Sequence, residues 1–256
     1  MDPLTIAGVV LAFVFILGSM VLEGGNPMSI ILIAPMILVF GGTLAAGAAG
    51  NYLPEFLASL KSAKDALMAP KPESADSLIG TIEQCTVVAR KEGLLRLEET
   101  LKTIEDPFLK KGLQLAIDGT DPDEVADILE AEIRATKRIG GQQSKLFKDL
   151  SGYAPTIGII GTVMGLINVL SHLDDPGELG PHIASAFIAT LWGVLSANIM
   201  WLPLANKLGR ITEVKVERME LIVEGILMIQ AGSNPRMVRQ KLMSLMPSAA
   251  AEAKAA

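Results

Sequence analysis

Charge is missing from four long runs of the chain, residues 3–22, 24–54, 150–173 and 179–206. Each run can supply the roughly 20 apolar residues a helix needs to cross a ~30 Å hydrocarbon core. Buried helices of soluble proteins rarely hold more than ~14 such residues in a row. The pattern therefore predicts four membrane helices, at about 4–22, 28–50, 153–173 and 183–204. The first run follows Met1-Asp2-Pro3 with no basic residue ahead of it. It is also longer than the roughly 7–15-residue apolar part of a cleaved leader, so it reads as a retained helix.

Outside these runs the apolar positions recur at helical spacing. "APKPESADS" (69–77) reads as a linker that ends in capping residues, and the helix after it is expected to break at Gly93. Further on, Asp121 can cap a helix, Pro122 suits its first position, and Asp123 and Glu124 complement its positive end. Val125, Ile128, Leu129 and Ile133 then share one face. After the fourth run an amphipathic helix continues to about Gly232, and "SAAAEAKAA" reads as a disordered tail. With no β-rich run, the expected fold is an all-α, polytopic membrane protein. It has a first hairpin at 1–54, a cytoplasmic helical domain at 55–150, a second hairpin at 151–206, and a cytoplasmic amphipathic helix and tail at 207–256.

Composition agrees: half of the 256 residues are hydrophobic and a fifth are charged, a membrane-protein balance. Orientation follows from the 22 Lys and Arg, all of which lie in 61–148 or 207–254. The short connections near Glu23 and near Asp174, Asp175 and Glu178 have none, so both termini are expected in the cytoplasm. The net charge of −6 singles out no partner, and the lone Cys85 excludes a disulfide within the chain.

The third and fourth runs carry the candidate chemistry. On a helix, Ala154, Gly158, Gly161, Thr162, Gly165, Asn168 and His172 share one face, opposite Ile157, Ile160 and Ile167. Ala186, Ala189, Thr190, Gly193, Ser196 and Ala197 form a similar face in the fourth run. One reading is close packing of two helices, since small residues let backbones approach in lipid. The other is a surface around a foreign helix or a watery ion path, with hydroxyls as ligands. The two are compatible. Spans one and two lack such a stripe and are expected on the lipid side, although "GGTLAAGAAG" (41–50) must pack closely against something.

No Asp, Glu, Lys or Arg lies inside any span. Ion transfer through a membrane usually relies on an intramembrane carboxylate. A chain of this kind that handles ions needs a second polypeptide to bring one. Pro155, expected at the start of the third span, and Pro203, near the cytoplasmic end of the fourth, read either as ordinary structural prolines or as joints. His172 and His182 read as interfacial polar residues and, with one cysteine in the chain, make no metal site. Nothing in the sequence has the form of a nucleotide loop or a nucleophile with a base, so no enzyme is expected.

The stretch from "GYAPTIGIIGTVMGL" to "NIMWLPLANKL" resembles the second membrane hairpin of the flagellar motor stator A subunit, the MotA/PomA family. "ARKEGLLRLEE" and "FLKKGLQLAIDG" resemble its cytoplasmic signature. The resemblance covers nearly the whole chain and implies a cofactor-free subunit of the bacterial inner membrane. Five copies would ring a dimer of a B subunit (MotB/PomB-like) whose helix bears the ion-binding aspartate. Flow of H+ or Na+ would turn the ring against the rotor switch protein. It also implies that Gly158, Gly161, Thr162, Gly165, Ala189, Thr190 and Gly193 face the ion path or partner helix. Pro155 and Pro203 match the two functional prolines, Arg90 and Glu98 match the rotor-facing charges, and Lys91 is a third candidate beside them. Sodium-type members resemble this chain at Thr162, and Thr190 matches a threonine of the family, but sodium-type members have threonine where Ala189 stands; this gives a slight lean to sodium. An energiser of the ExbB/TolQ type, typically with three spans, and a non-conducting scaffold are the alternatives.

Overall fold

Apolar runs without charge fold as helices in this protein wherever proline does not interrupt the backbone pattern. The computed structural model describes residues 3–68, 74–174 and 176–246, and among these it contains helices and turns but no strand. Helix α1 spans Pro3–Leu22. A 3-10 turn at Pro27–Ile30 follows, capped by Asn26, whose side chain accepts from the Met28 N–H. Helix α2 begins only at Ile33 (Ile33–Met36) and passes through a π turn, Ile37–Gly41, into α3, Gly42–Ala49. The second apolar helix is thus shorter than its sequence run. Pro35 explains the late start: its ring fits a first helical turn but not a helix interior. Three helical stretches are long and apolar enough to cross a membrane, Leu4–Leu22, Pro122–Ser171 and Leu179–Gln230, and Ile33–Ala49 is a shorter apolar helix.

The remaining elements are α4 (Leu53–Met68), α5 (Ala75–Glu92), a 3-10 turn at Leu94–Arg96, α6 (Leu97–Leu101), α7 (Pro107–Ile117) and α8 (Pro122–Ser171). Then come α9 (Pro176–Ser196), a second π turn (Ala197–Trp201), α10 (Leu202–Gln230) and α11 (Pro235–Leu245). Gly93, at φ +89°, ends α5, a backbone conformation that costs glycine little. Asp121 Oδ1 accepts from the Asp123 N–H at the start of α8. Residues 69–73 of the 69–77 linker and the whole of the tail "SAAAEAKAA" lie outside the described residues.

Contacts divide the chain into two compact units: Met1–Lys71 with Gly140–Ile211, and Pro72–Ile139 with Thr212–Ala256. In the first, Phe147, Leu150, Ala154 and Trp201 form one buried cluster, and Val39, Ala189, Trp192 and Leu195 another. Two glycines of 41–50, Gly42 and Gly47, have their close neighbour in α8. A Cβ on Gly47 would lie 2.6 Å from Leu150 Cδ2, and one on Gly42 would lie 3.2 Å from Ile157 Cγ2. Trp192 Nε1 donates to the Ile30 carbonyl at 2.7 Å, which fastens the first hairpin to α9.

The second unit has its own core of Ile79, Ile82, Leu97, Leu113, Leu129, Ile222, Ile226 and Leu242. Val125, Leu129 and Ile133 are buried here and Ile128 is half-buried, so the stripe seen in the sequence is an inner face of α8. Asp106 caps α7 by accepting from the Phe108 and Leu109 N–H groups, and its other oxygen accepts from Arg218 Nε at 3.0 Å. Cys85 is buried in this core, and burial pushes its thiol up to about 11.

Candidate functional site

Two helices without charge in their apolar parts meet along their small faces. A Cβ placed on Gly158 would fall 2.9 Å from the Ala189 carbonyl, and one on Gly193 would fall 2.6 Å from the Ala154 carbonyl. On Gly161 it would meet Ala189 Cβ at 2.5 Å, and on Gly165 it would meet Ala186 Cβ at 2.5 Å. Real side chains do not tolerate such distances, so glycine is what allows α8 and α9 to touch backbone to backbone. Of the two readings of these faces, packing within the chain is therefore present. Gly158, Gly161, Gly193 and Ala189 are buried in it, while Gly165, Thr162 and Thr190 are half-buried.

Polar atoms concentrate at the middle of this contact. The hydroxyls of Thr162 and Thr190 are hydrogen-bonded to each other. Both also approach the Gly158 carbonyl at 3.3 Å, and Thr162 Oγ1 lies 3.4 Å from the Ala186 carbonyl. Each hydroxyl has one proton to donate and two lone pairs. The group therefore holds more acceptor capacity than it has protons. Oxygen donors of this kind suit a hard cation or a chain of water, although no carboxylate is among them. The bulky side of α8 is open in the single chain, with Ile159, Ile160, Val163, Met164 and Ile167 all exposed.

Pro155 does not start a helix, as the sequence suggested. It lies deep inside α8, which runs unbroken for 50 residues. The charged segment before it supports a helix, with Glu130 paired to Arg134 and Asp149 to Lys145 at i,i+4. Pro155 Cα lies 3.3 Å from where a Gly193 Cβ would be, so this proline belongs to the same tight contact. Pro203 comes one residue beyond the end of the π turn at Ala197–Trp201, where the Leu202 N–H bonds to the Ala197 carbonyl. A π turn is a regular way for a helix to admit a residue that breaks the i→i−4 ladder.

In the other unit, Arg90 and Lys91 occupy the last turn of α5, and Glu98 lies in α6. All three are exposed. Their neighbour Arg96 is engaged by both Glu92 and Glu99. Among the described residues, no ion pair holds Arg90, Lys91 or Glu98. Leu95, 72% exposed, stands beside them. Sequence reasoning missed the role of the two tryptophans. Trp192 ties α9 to Ile30, and Trp201 stacks on Phe147 with ring centroids 6.4 Å apart. Both sit in an apolar run of a chain with 4% aromatic residues, a signal that was available. His172 and His182 lie with ring centroids 5.2 Å apart, and His172 Nδ1 contacts the Asn168 carbonyl.

The model of the MotA/TolQ/ExbB proton channel family matches residues 100–221. Motility protein A of Bacillus subtilis is 34% identical over 248 residues, 97% of this chain and 92% of that protein. Chemotaxis protein PomA of Vibrio alginolyticus is 34% identical over 93% of this chain and 92% of its own length. The structure of C. jejuni MotAB matches with a TM-score of 0.92 at 28% identity, over 96% of both chains. That of the flagellar MotAB stator complex from Bacillus subtilis matches with a TM-score of 0.88 at 33% identity, over 96% of both.

Proposed function

This chain belongs to the MotA/TolQ/ExbB proton channel family, and within it to the motility protein A stator subunits of the flagellar motor, and from that premise we propose how its parts share the work. The chain supplies a sleeve of membrane helices with no Asp, Glu, Lys or Arg within it. The ion-binding carboxylate comes from a second subunit with a single membrane helix; the solved complexes to which this chain is similar are MotAB complexes, which supports a second subunit. Several copies of the chain, five in the arrangement the family implies, surround two copies of that partner. Both termini face the cytoplasm, in keeping with the position of all Lys and Arg.

The observation that carries this reading is the polar cluster of Thr162, Thr190 and the Gly158 carbonyl inside the uncharged parts of α8 and α9. It offers oxygens to a passing cation but no site that binds one by charge. Hydroxyl and carbonyl oxygens favour a hard cation, which leans the coupling ion toward Na+ over H+. Pro155 and Pro203 lie on α8 and α10, the helices that contribute residues to both units. They are the joints through which ion binding alters the helices. Arg90, Lys91 and Glu98 are the charges offered to the rotor switch protein.

Reconstitution in vesicles tests the division of labour. The chain alone should pass no cation current, and co-reconstitution with its single-span partner should restore a flux that is lost when the partner's membrane aspartate is made asparagine. Robust current from the chain alone would contradict it.

A further inference from the structure

Helix α1 does not pack flush against the helix that passes from α9 into α10. Between them lies a cleft of about 480 Å³. Leu4, Gly8 and Ile199 give it apolar walls, Pro203 lines it at the joint, and Lys207 and Arg210 line it where the uncharged run ends. Gly8 has no neighbour within 4 Å of a Cβ position, so this wall is open. The helix beside it is irregular: the π turn at Ala197–Trp201 falls here, and Asn198, also in the lining, turns its amide back to the Val194 carbonyl at 2.8 Å.

We propose that this cleft binds an anionic phospholipid, with an acyl chain along Leu4, Gly8 and Ile199 and the phosphate at Lys207 and Arg210. The cleft joins an apolar trough to two cations at the depth where an uncharged span gives way to charge, and a lipid with a net negative headgroup has that same polarity. A soluble anion would leave the apolar walls without a partner. An apolar helix from another copy would bring nothing for the cations. Lys207 and Arg210 already have contacts within the chain, but an ammonium has three donors and a guanidinium five, so a phosphate can be added to those contacts. Basic pockets between membrane helices on the cytoplasmic side are known to hold anionic headgroups, and a basic residue near such a surface contributes measurably. The lipid would lie against Pro203 and the π turn, and so would set how far the helix bends there. The proposal rests on the membrane placement of α1 and α9 and not on the stator mechanism.

Native mass spectrometry of the complex with its partner subunit, titrated with phosphatidylglycerol or phosphatidylcholine, tests this. The wild-type complex should retain phosphatidylglycerol about tenfold better. The double variant Lys207→Gln/Arg210→Gln should lose that preference. Gly8→Leu, whose side chain enters open space, should lower retention of both lipids and decides the matter if the double variant does not assemble. Equal retention of the two lipids by wild type, no retention at all because an adjoining copy covers the cleft, or undiminished retention by Gly8→Leu would each overturn the proposal. Displacement by glycerol phosphate at the same concentration would overturn it as well, since the headgroup alone lacks the acyl contribution.

Discussion

Glycine at four positions sets the distance between α8 and α9, and two threonines set what lies between them. Gly193 is among the demanding positions. A methyl there would press on the Ala154 carbonyl at 2.6 Å, and a backbone atom cannot swing away as a side chain can. Gly193→Ala is expected to cost about 1–3 kcal/mol by overpacking, measured as a fall of several degrees in the melting temperature of the purified complex. Gly18→Ala, in open space on α1, should leave it unchanged. On the proposed ion path, Thr162 acts through its oxygen and not its bulk. Thr162→Ala should therefore lower sodium-driven swimming speed about tenfold or more, on the scale of one lost contact to a charged group, and Thr162→Ser should restore most of it. Speed that ignores sodium concentration in wild type and variant alike would remove the sodium assignment.

Among the elements, only one of the two π turns has a proline placed to cause it: Pro203 comes after Ala197–Trp201, whereas Pro35 precedes Ile37–Gly41 and lies in a first helical turn. Proline has no N–H and crowds the preceding turn, so the chain admits an extra residue instead of stopping. Pro203→Ala restores an N–H and removes the reason for the irregularity. The expected outcome is a helix that still forms and still pulls down the partner subunit, with motility strongly reduced. Full motility in that variant would show that the joint has no part in force transfer. Helix α8 has the opposite character: Pro155 lies in its interior without ending it, because Ala154 and its neighbours are buried in tertiary contact with α9 and α3.

At the scale of the molecule, the chain has two cores with different duties. The unit that contains the apolar helices carries the hydroxyl cluster and the lipid cleft. The other has a core of its own and carries the exposed charges. Surface charges of this sort add little to stability, so changes there should register in function alone. Arg90→Glu or Glu98→Lys should impair swimming while partner pull-down and ion flux remain at wild-type levels. A charge-reversed rotor switch protein should recover part of the loss. Swimming at wild-type speed in both single variants and in their combination would remove these residues from the rotor surface.

The sequence by itself determined the helical class, the membrane character and the absence of an intramembrane carboxylate. Each of these depends on local composition: a run of uncharged residues is apolar in any fold, and a missing aspartate cannot be supplied by packing. It also made legible the stripe at Val125, Leu129 and Ile133, the break at Gly93 and the small faces of both later spans, because helical periodicity alone places residues on a face. Tertiary structure decided what those faces touch. That Gly158 meets Ala189 and Gly193, that Thr162 meets Thr190, that α8 passes through Pro155, and that Trp192 holds Ile30 are all contacts between residues far apart in the chain or choices enforced by them. Spacing along one helix fixes the direction of a side chain. Which neighbour lies in that direction depends on how the other helices fill the remaining space.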